Sequence, residues 1–228
     1  MFDTLMGLPL FRGVSRERMS DAVGVHKFHF RKYLPDQPIF EAGDPCTELS
    51  FVISGNVRIR IENPDGRFCV FQTLRAPEVI APEFLYGLRT SYPGSVRSID
   101  TVSLLSISKA DYLAMLDSDH VFLLNYLNLL AVGSQKSMEG ILAVSTGDLP
   151  ERIAFWISAL TQPRACDIVL RCSRHDLASL FGVQRSSVIR ALDSMAERGL
   201  LTYTPGEISI PDRAAVLALL DDHAESPD

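Results

Sequence analysis

Long apolar runs are missing from this chain. Nowhere do the roughly 18 uninterrupted apolar residues of a membrane helix occur, and no basic, apolar, small-residue leader opens it. A soluble chain that stays in the cytoplasm, with no membrane partner, is expected. Cysteine is scarce, four in 228 residues. Cys46, Cys69, Cys166 and Cys172 form no CxxC pair, so neither a disulfide framework nor a zinc site is expected. Catalytic signatures are missing too: there is no nucleophile elbow, phosphate-binding glycine loop, HExxH or carboxylate cluster, so an enzyme is not expected. Lysine is absent beyond residue 148. From Asp148 onward eight arginines face twelve acids, four of which (Asp221, Asp222, Glu225, Asp228) lie in the last eight residues. The remainder balances at eight against eight. With a net charge of −6, any affinity for nucleic acid must come from local charge rather than from the total.

What is present fits a soluble globular protein, with 46% hydrophobic and 22% charged residues in a length that suits one large or two modest domains. Residues 1–25 read as short helices, with Ser15 an N-cap. From His26 the apolar period becomes two. His26, Phe28 and Phe30 alternate with Lys27, His29 and Arg31, which predicts a half-buried strand. Further strand signals lie in PIFEAGD, ELSFVISG, NVRIRIEN, RFCVFQTL, GSVRSI and TVSLLSIS. Turn chemistry at Gly43-Asp44, Gly55-Asn56 and Asn63-Pro64-Asp65-Gly66 separates them. Many short strands on such spacing predict a sandwich or barrel-like roll, ending near Ser108.

KADYLAML predicts a brief helix, Ser118 a cap, and the following stretch a long helix to about Ser145. Along it Leu123, Leu127, Leu130, Ser134, Ser137, Ile141 and Val144 recur at alternating spacings of 4 and 3, a heptad seam. Such a seam packs either onto its own β part or onto a second copy. The second copy is preferred, because Leu124 and Leu129 leave apolar surface on other faces for the β part. Gly147-Asp148 marks a hinge, and Asp148 with Glu151 makes a capping box.

The most informative stretch is 173–200, SRHDLASLFGVQRSSVIRALDSMAERGL. Ser173 and Asp176 have capping-box spacing, and Leu177, Ala178, Leu180 and Phe181 form a short apolar face. Gly182 supplies a turn that needs positive φ. A second helix follows with Val188, Leu192 and Met195 inward and Arg185, Ser186, Ile189 and Arg190 outward. Two helices joined by a glycine turn, with early arginines in the second, suit a major groove. An ordinary helical hairpin with solvated arginines has the same spacing. The strands LLTYT and EISI around Pro205-Gly206 add a hairpin, or wing.

This order, with PLFRGVSRERM, EAGD, FVISGNVRI, RIAFWI and DLASLFGVQRSSVIRALDSMAERGLL, resembles the CRP/FNR superfamily of bacterial transcription regulators over nearly the whole chain. The resemblance implies an α+β chain: a cyclic-nucleotide-binding-like β-roll over 1–117, a dimerisation helix and hinge over 118–146, and a winged helix-turn-helix over 147–228. It implies a homodimer on a palindromic duplex operator, with RNA polymerase as a further partner. Arg185 and Arg190 match the arginines that face guanines, a contact that discriminates by about 1–3 kcal/mol. Ser187, Ser173 and His175, with Arg174 beside them, match phosphate-contacting positions. Ser186 stands where the family places a glutamate that accepts from cytosine N4, and Ile189 is placed to meet a thymine methyl.

In the family's sensor, a Gly-Glu and an Arg-Ser pair bracket the segment that binds the cyclic phosphate. The matching stretch here is VIAPEFLYGLRTSYPGSVRSI, with Glu83 for the glutamate and Tyr92-Pro93 in the Arg-Ser place. Without that arginine a cyclic phosphodiester loses a charge-assisted bidentate contact. The resemblance therefore implies a small-molecule effector other than cyclic AMP, in a pocket of Glu83, Tyr86, Arg89, Tyr92, Arg97, Ser134 and Gln135. No iron–sulfur cluster is expected, since the first cysteine is Cys46. His26 and His29, three apart on a strand, point to opposite faces and cannot share a metal. Haem on some other single ligand, thiol switching at Cys46 and Cys69, and a binding protein that keeps the helix-turn-helix only as scaffold are the competing readings.

Overall fold

The computed structural model describes residues 6–221, with backbone alone at residues 9, 136–137, 139–146 and 221. The chain forms two compact units, Met1–Arg58 with Leu74–Ser134 and Ile59–Thr73 with Gln135–Asp228.

In the first unit a 3-10 turn (Pro9–Phe11) precedes α1 (Arg16–Val25), whose N-cap Ser15 accepts a hydrogen bond from the Arg18 amide at 3.3 Å. Then come β1 (Phe28–Tyr33), β2 (Pro38–Phe40), β3 (Glu48–Ser54), β4 (Asn56–Glu62) and β5 (Cys69–Arg75), whose residues 59–73 belong to the second unit, and β6 (Glu78–Ile80). A second 3-10 turn (Pro82–Phe84), β7 (Ser95–Ser98) and β8 (Val102–Ser108) complete the strands. One antiparallel sheet has the order β1-β8-β3-β6; elsewhere β2 pairs with β7, and β7 neighbours β4. Phe11, Phe51, Leu49, Leu74, Leu104 and Tyr112 are buried almost completely. The Phe11 and Phe51 rings lie 5.3 Å apart, and burying each such side chain contributes about 1.5–3 kcal/mol. α2 (Lys109–Ser118) and α3 (His120–Thr146) follow.

Several local expectations are corrected here. His26 lies outside β1, as the C-cap of α1, with Nδ1 3.7 Å from Asp111. Phe30 is 58% exposed, because β1 is an edge strand paired only with β8 and its alternation does not sort inside from outside. Ser118 ends α2 and returns its hydroxyl to the Met115 carbonyl; the cap of α3 is Asp119, which accepts from the Val121 amide at 2.9 Å. On α3 the side that packs into the unit is Phe122 and Tyr126, whereas Leu124, expected to face the β part, is 56% exposed. Strand β6 is only three residues long, too short for an alternation to show in the sequence.

The second unit contains α4 (Leu149–Leu160), β9 (Cys166–Arg171), α5 (Arg174–Phe181), α6 (Arg185–Glu197), β10 (Thr202–Thr204), β11 (Glu207–Ile210) and α7 (Arg213–Asp221). Asp148 and Glu151 close the capping box at α4. The sheet order is β5-β9-β11-β10. Residues 69–73 thus supply a strand to this unit, with Val70 opposite Leu170 and Phe71 opposite Val169. Phe68 meets Trp156 edge-on at 5.9 Å, and the buried Gln72 accepts from the Gln162 amide at 2.8 Å. Arg213 is buried, and burial lowers its pKa. It donates to the Ser158 carbonyl at 3.2 Å and the Thr161 hydroxyl at 2.8 Å. A cation at the carbonyl end of α4 suits the helix dipole.

Gly55 sits between β3 and β4 at φ +84, where an added Cβ would lie 2.4 Å from the Thr101 carbonyl oxygen. Gly55→Ala is expected to cost about 3 kcal/mol, combining left-handed strain with a backbone clash. A lowered denaturant midpoint at unchanged m-value is the measurement that checks it.

Candidate nucleic-acid interface

The interface begins with a cap. Ser173 Oγ accepts from the Asp176 amide at 3.0 Å and starts α5. Leu177, Ala178 and Phe181 bury one face of that helix, but Leu180, expected to join them, is 47% exposed. Gly182 then adopts φ 65, ψ 33, and its amide bonds back to Ala178 and Ser179. This left-handed residue ends α5 in the one conformation that glycine enters without a Cβ penalty.

Helix α6 leaves the turn with Val188, Ala191, Leu192 and Met195 buried against α4, α5 and β10. The opposite stripe exposes Arg185, Ser186 and Arg190 and leaves Ile189 half-buried. Ser187 is also half-buried, and Arg190 Nη2 lies 3.3 Å from its hydroxyl. Charge along α6 runs against its own dipole. No acid stands in the first turn and no base in the last, Gln184 makes no side-chain cap, and Arg185 occupies the first position. Each such choice forgoes about 0.3–1 kcal/mol of helix stability. It leaves the first backbone amides and a guanidinium facing outward, the arrangement that receives a phosphate and a base edge.

Of the phosphate-contacting candidates, Ser173 and His175 are exposed. Arg174 is placed differently. It is half-buried, with its guanidinium over the Tyr203 ring at 5.3 Å, and Tyr203 in turn donates its hydroxyl to Asp193. Sequence reasoning passed over Tyr203 and Asp193. Their sole signal is a tyrosine in the wing, and its partner lies ten residues earlier on another element.

The expected effector residues do not form one set. Tyr92 is 3% exposed, stacked on Phe40 at 4.1 Å, so it fills the roll rather than lining an opening. Arg97 is engaged at 3.2 Å by the Asp36 carboxylate and at 2.8 Å by its carbonyl. Arg89, Ser134 and Gln135 are exposed. Glu83 and Tyr86 do come together with residues the sequence did not single out. The Tyr126 hydroxyl donates to the Pro82 carbonyl at 3.0 Å, Tyr86 and Tyr112 both meet the Tyr126 ring edge-on, and Tyr86 donates to the Lys109 carbonyl at 3.1 Å. Burial pushes the Tyr126 phenol up to about 12 and also raises Glu83, which stays accessible although protein crowds it. The Tyr112 hydroxyl is buried without a hydrogen-bond partner. Cys46, Cys69 and Cys172 are buried, and burial lifts the Cys172 thiol to about 12 and raises Cys46, the reverse of what a thiol switch needs.

On α3 Leu127 is 50% exposed, and Leu123 and Leu130 are half-buried. The side chains of Ser137, Ile141 and Val144 lie outside the described residues. Among the described residues no three His, Cys, Asp or Glu side chains gather where a metal would sit, and no helix is long and apolar enough to cross a membrane.

A β-roll followed in the chain by a long helix and a winged helix-turn-helix is the order of parts found in a class of transcription regulators. The cyclic nucleotide-binding domain family matches residues 30–119, and the Crp-like helix-turn-helix domain family matches residues 151–219. The chain is 27% identical to the cyclic AMP receptor protein of Thermus thermophilus, over 92% of this chain and 95% of that one. It is 26% identical to the cAMP-activated global transcriptional regulator Vfr of Pseudomonas aeruginosa, over 76% and 85%. In fold it is similar to the Thermus thermophilus catabolite activator protein, at 24% identity, a TM-score of 0.54 and coverage of 94% and 99%. The N-terminal domain of a Streptomyces coelicolor transcriptional regulator matches at 23% identity and a TM-score of 0.51, over 64% of this chain and all of that domain. With both domains in this order, the chain belongs to the CRP/FNR family, whose members are transcription regulators and not enzymes.

Glu83→Gln is expected to raise the thermal midpoint at neutral pH. The folded-state pKa of Glu83 is raised, so the stability linked to its proton is complete below the unfolded pKa and is lost as pH climbs through the folded one. Glutamine removes that loss. The gain should vanish in acid, which calorimetry across pH would test.

Proposed function

We propose that this chain is a homodimeric, sequence-specific regulator that reads a palindromic operator with α6 and is gated by an effector other than cyclic AMP. The observation that carries the reading is the outward stripe of α6, where Arg185, Ser186 and Arg190 stand exposed above a buried Val188–Leu192–Met195 face. In this reading the two arginines meet guanines, Ile189 reaches a thymine methyl, and Ser173 and His175 touch phosphate. The lack of net positive charge from Asp148 onward is then compensated by contact geometry.

The effector assignment follows from Tyr92 and Arg97. Two relatives are named for cyclic AMP, but here the place of the phosphate-binding arginine is held by a buried, stacked phenol. Arg97 is committed to Asp36. The ligand would instead be held near Glu83, Tyr86 and Tyr126. Homodimerisation is supported by the apolar surface left on α3, where Leu124, Leu127, Val132 and Met138 are all at least 47% exposed. A second copy would cover them, as the division into a roll (1–117), a dimer helix and hinge (118–146) and a DNA-binding domain (147–228) supposes. RNA polymerase would be the further partner, in the cytoplasm.

Arg190→Ala is expected to weaken operator binding by about 1–3 kcal/mol per half-site and to leave the dimer intact, read by fluorescence anisotropy. The same titration should show log affinity of the parent falling linearly with log salt. A flat salt response would instead identify a retained scaffold. Addition of cyclic AMP should leave the affinity unchanged, and native mass spectrometry of the protein purified without additives should reveal what occupies the roll. Solution scattering at working concentration is expected to return a dimer mass, and monomers alone would overturn that part of the reading.

A further inference from the structure

Asp193 stands three residues beyond Arg190 and four beyond Ile189 on α6, so it shares their exposed stripe. A carboxylate there is out of place. Facing a duplex it would lie within a Debye length of the phosphates and oppose binding. It is also the side-chain type that accepts from cytosine N4. In this structure it is occupied: the Tyr203 hydroxyl, reaching from β10, donates to it. The other side of the contact is also held. Arg174, the first residue of α5, places its guanidinium over the Tyr203 ring at 5.3 Å. Its Nε is buried with no hydrogen-bond partner. Cation, ring and carboxylate therefore run in line from α5 through the wing to α6.

We propose that Tyr203 and Asp193 form a positioning pair, in which the wing's phenol ties down a carboxylate on the duplex-facing stripe of α6 and fixes the wing against that helix. Asp193 is exposed and Tyr203 half-buried, and hydrogen bonds at such sites contribute little to folding. Their consequence is geometric and electrostatic. The exposed Thr202 and Thr204 on the same short strand are presented at a set height beside α6. The negative charge of Asp193 is spread into a phenol instead of confronting phosphate. The inference rests on the reading of α6 as the recognition helix.

The test uses the full-length protein and a duplex that the parent itself selects from a random pool, titrated by anisotropy over a range of salt. Tyr203→Phe keeps the ring under Arg174 but frees Asp193. It is expected to weaken binding about fivefold, the repulsion of two like charges a few ångströms apart in water, and to make the salt dependence shallower, since a carboxylate released toward the phosphates cuts counterion release. The double variant Tyr203→Phe, Asp193→Asn removes the freed charge and should recover most of the affinity and the parent's salt slope. A weakened single variant that the second change does not rescue would make the tyrosine a purely structural residue and overturn the proposal. Equal affinity and slope in the parent and Tyr203→Phe would overturn it while leaving the recognition helix in place. No salt-dependent binding by the parent itself would overturn both.

Discussion

The buried face of α6 is the constraint on which the DNA-facing half of the molecule depends. Val188, Ala191, Leu192 and Met195 are held by α4, α5 and β10, and only because that face is sunk can the other be spent on function. Burial of a few aliphatic side chains yields several kcal/mol, which covers a helix whose charges oppose its dipole and whose N-cap makes no side-chain bond. Gly182 sets the angle at which the helix leaves α5. A Cβ there would meet no neighbour, so the residue is required for its backbone conformation and not for space.

The sensor half applies the same principle to different effect. The position that would carry a phosphate-binding arginine instead contributes to the core, since Tyr92 packs on Phe40 and its phenol is desolvated. Polar capacity has moved to the junction of α2 and α3 with the Pro82–Phe84 turn, where Tyr86, Tyr112 and Tyr126 stack edge-on and Glu83 is crowded. Under the proposed reading, aromatic edges and a carboxyl with a raised pKa would suit neutral or hydrogen-bonding groups more than a phosphodiester.

Much of this was legible in the sequence where the signal was local. Ser15, Asp148 and Ser173 announce helices because a cap and its amide lie three residues apart, and each cap is present. Val188, Leu192 and Met195 declare an inward face by spacing alone, and Gly182 declares its turn. Spacing failed where two sides of an element look alike. Edge strand β1 exposes Phe30, Leu180 turns out of the α5 face, and Leu124 rather than Tyr126 is left in solvent. In each case apolar character was read correctly, but the neighbour that decides burial lies far away in the chain.

Sequence alone therefore determined the order of the parts, a strand-rich roll, a long helix and a winged helix-turn-helix, together with the arginines that its second helix turns outward. Those follow from periodicity, capping and turn chemistry, which act over a few residues. Tertiary structure alone decided that Arg174 lies over the Tyr203 ring, that Asp193 accepts from the Tyr203 hydroxyl, that Tyr92 belongs to the core, and that residues 69–73 pair with β9. These are contacts between segments ten to about a hundred residues apart. Which partner a charged or aromatic side chain takes depends on what packing brings within a few ångströms, and no local pattern carries that information.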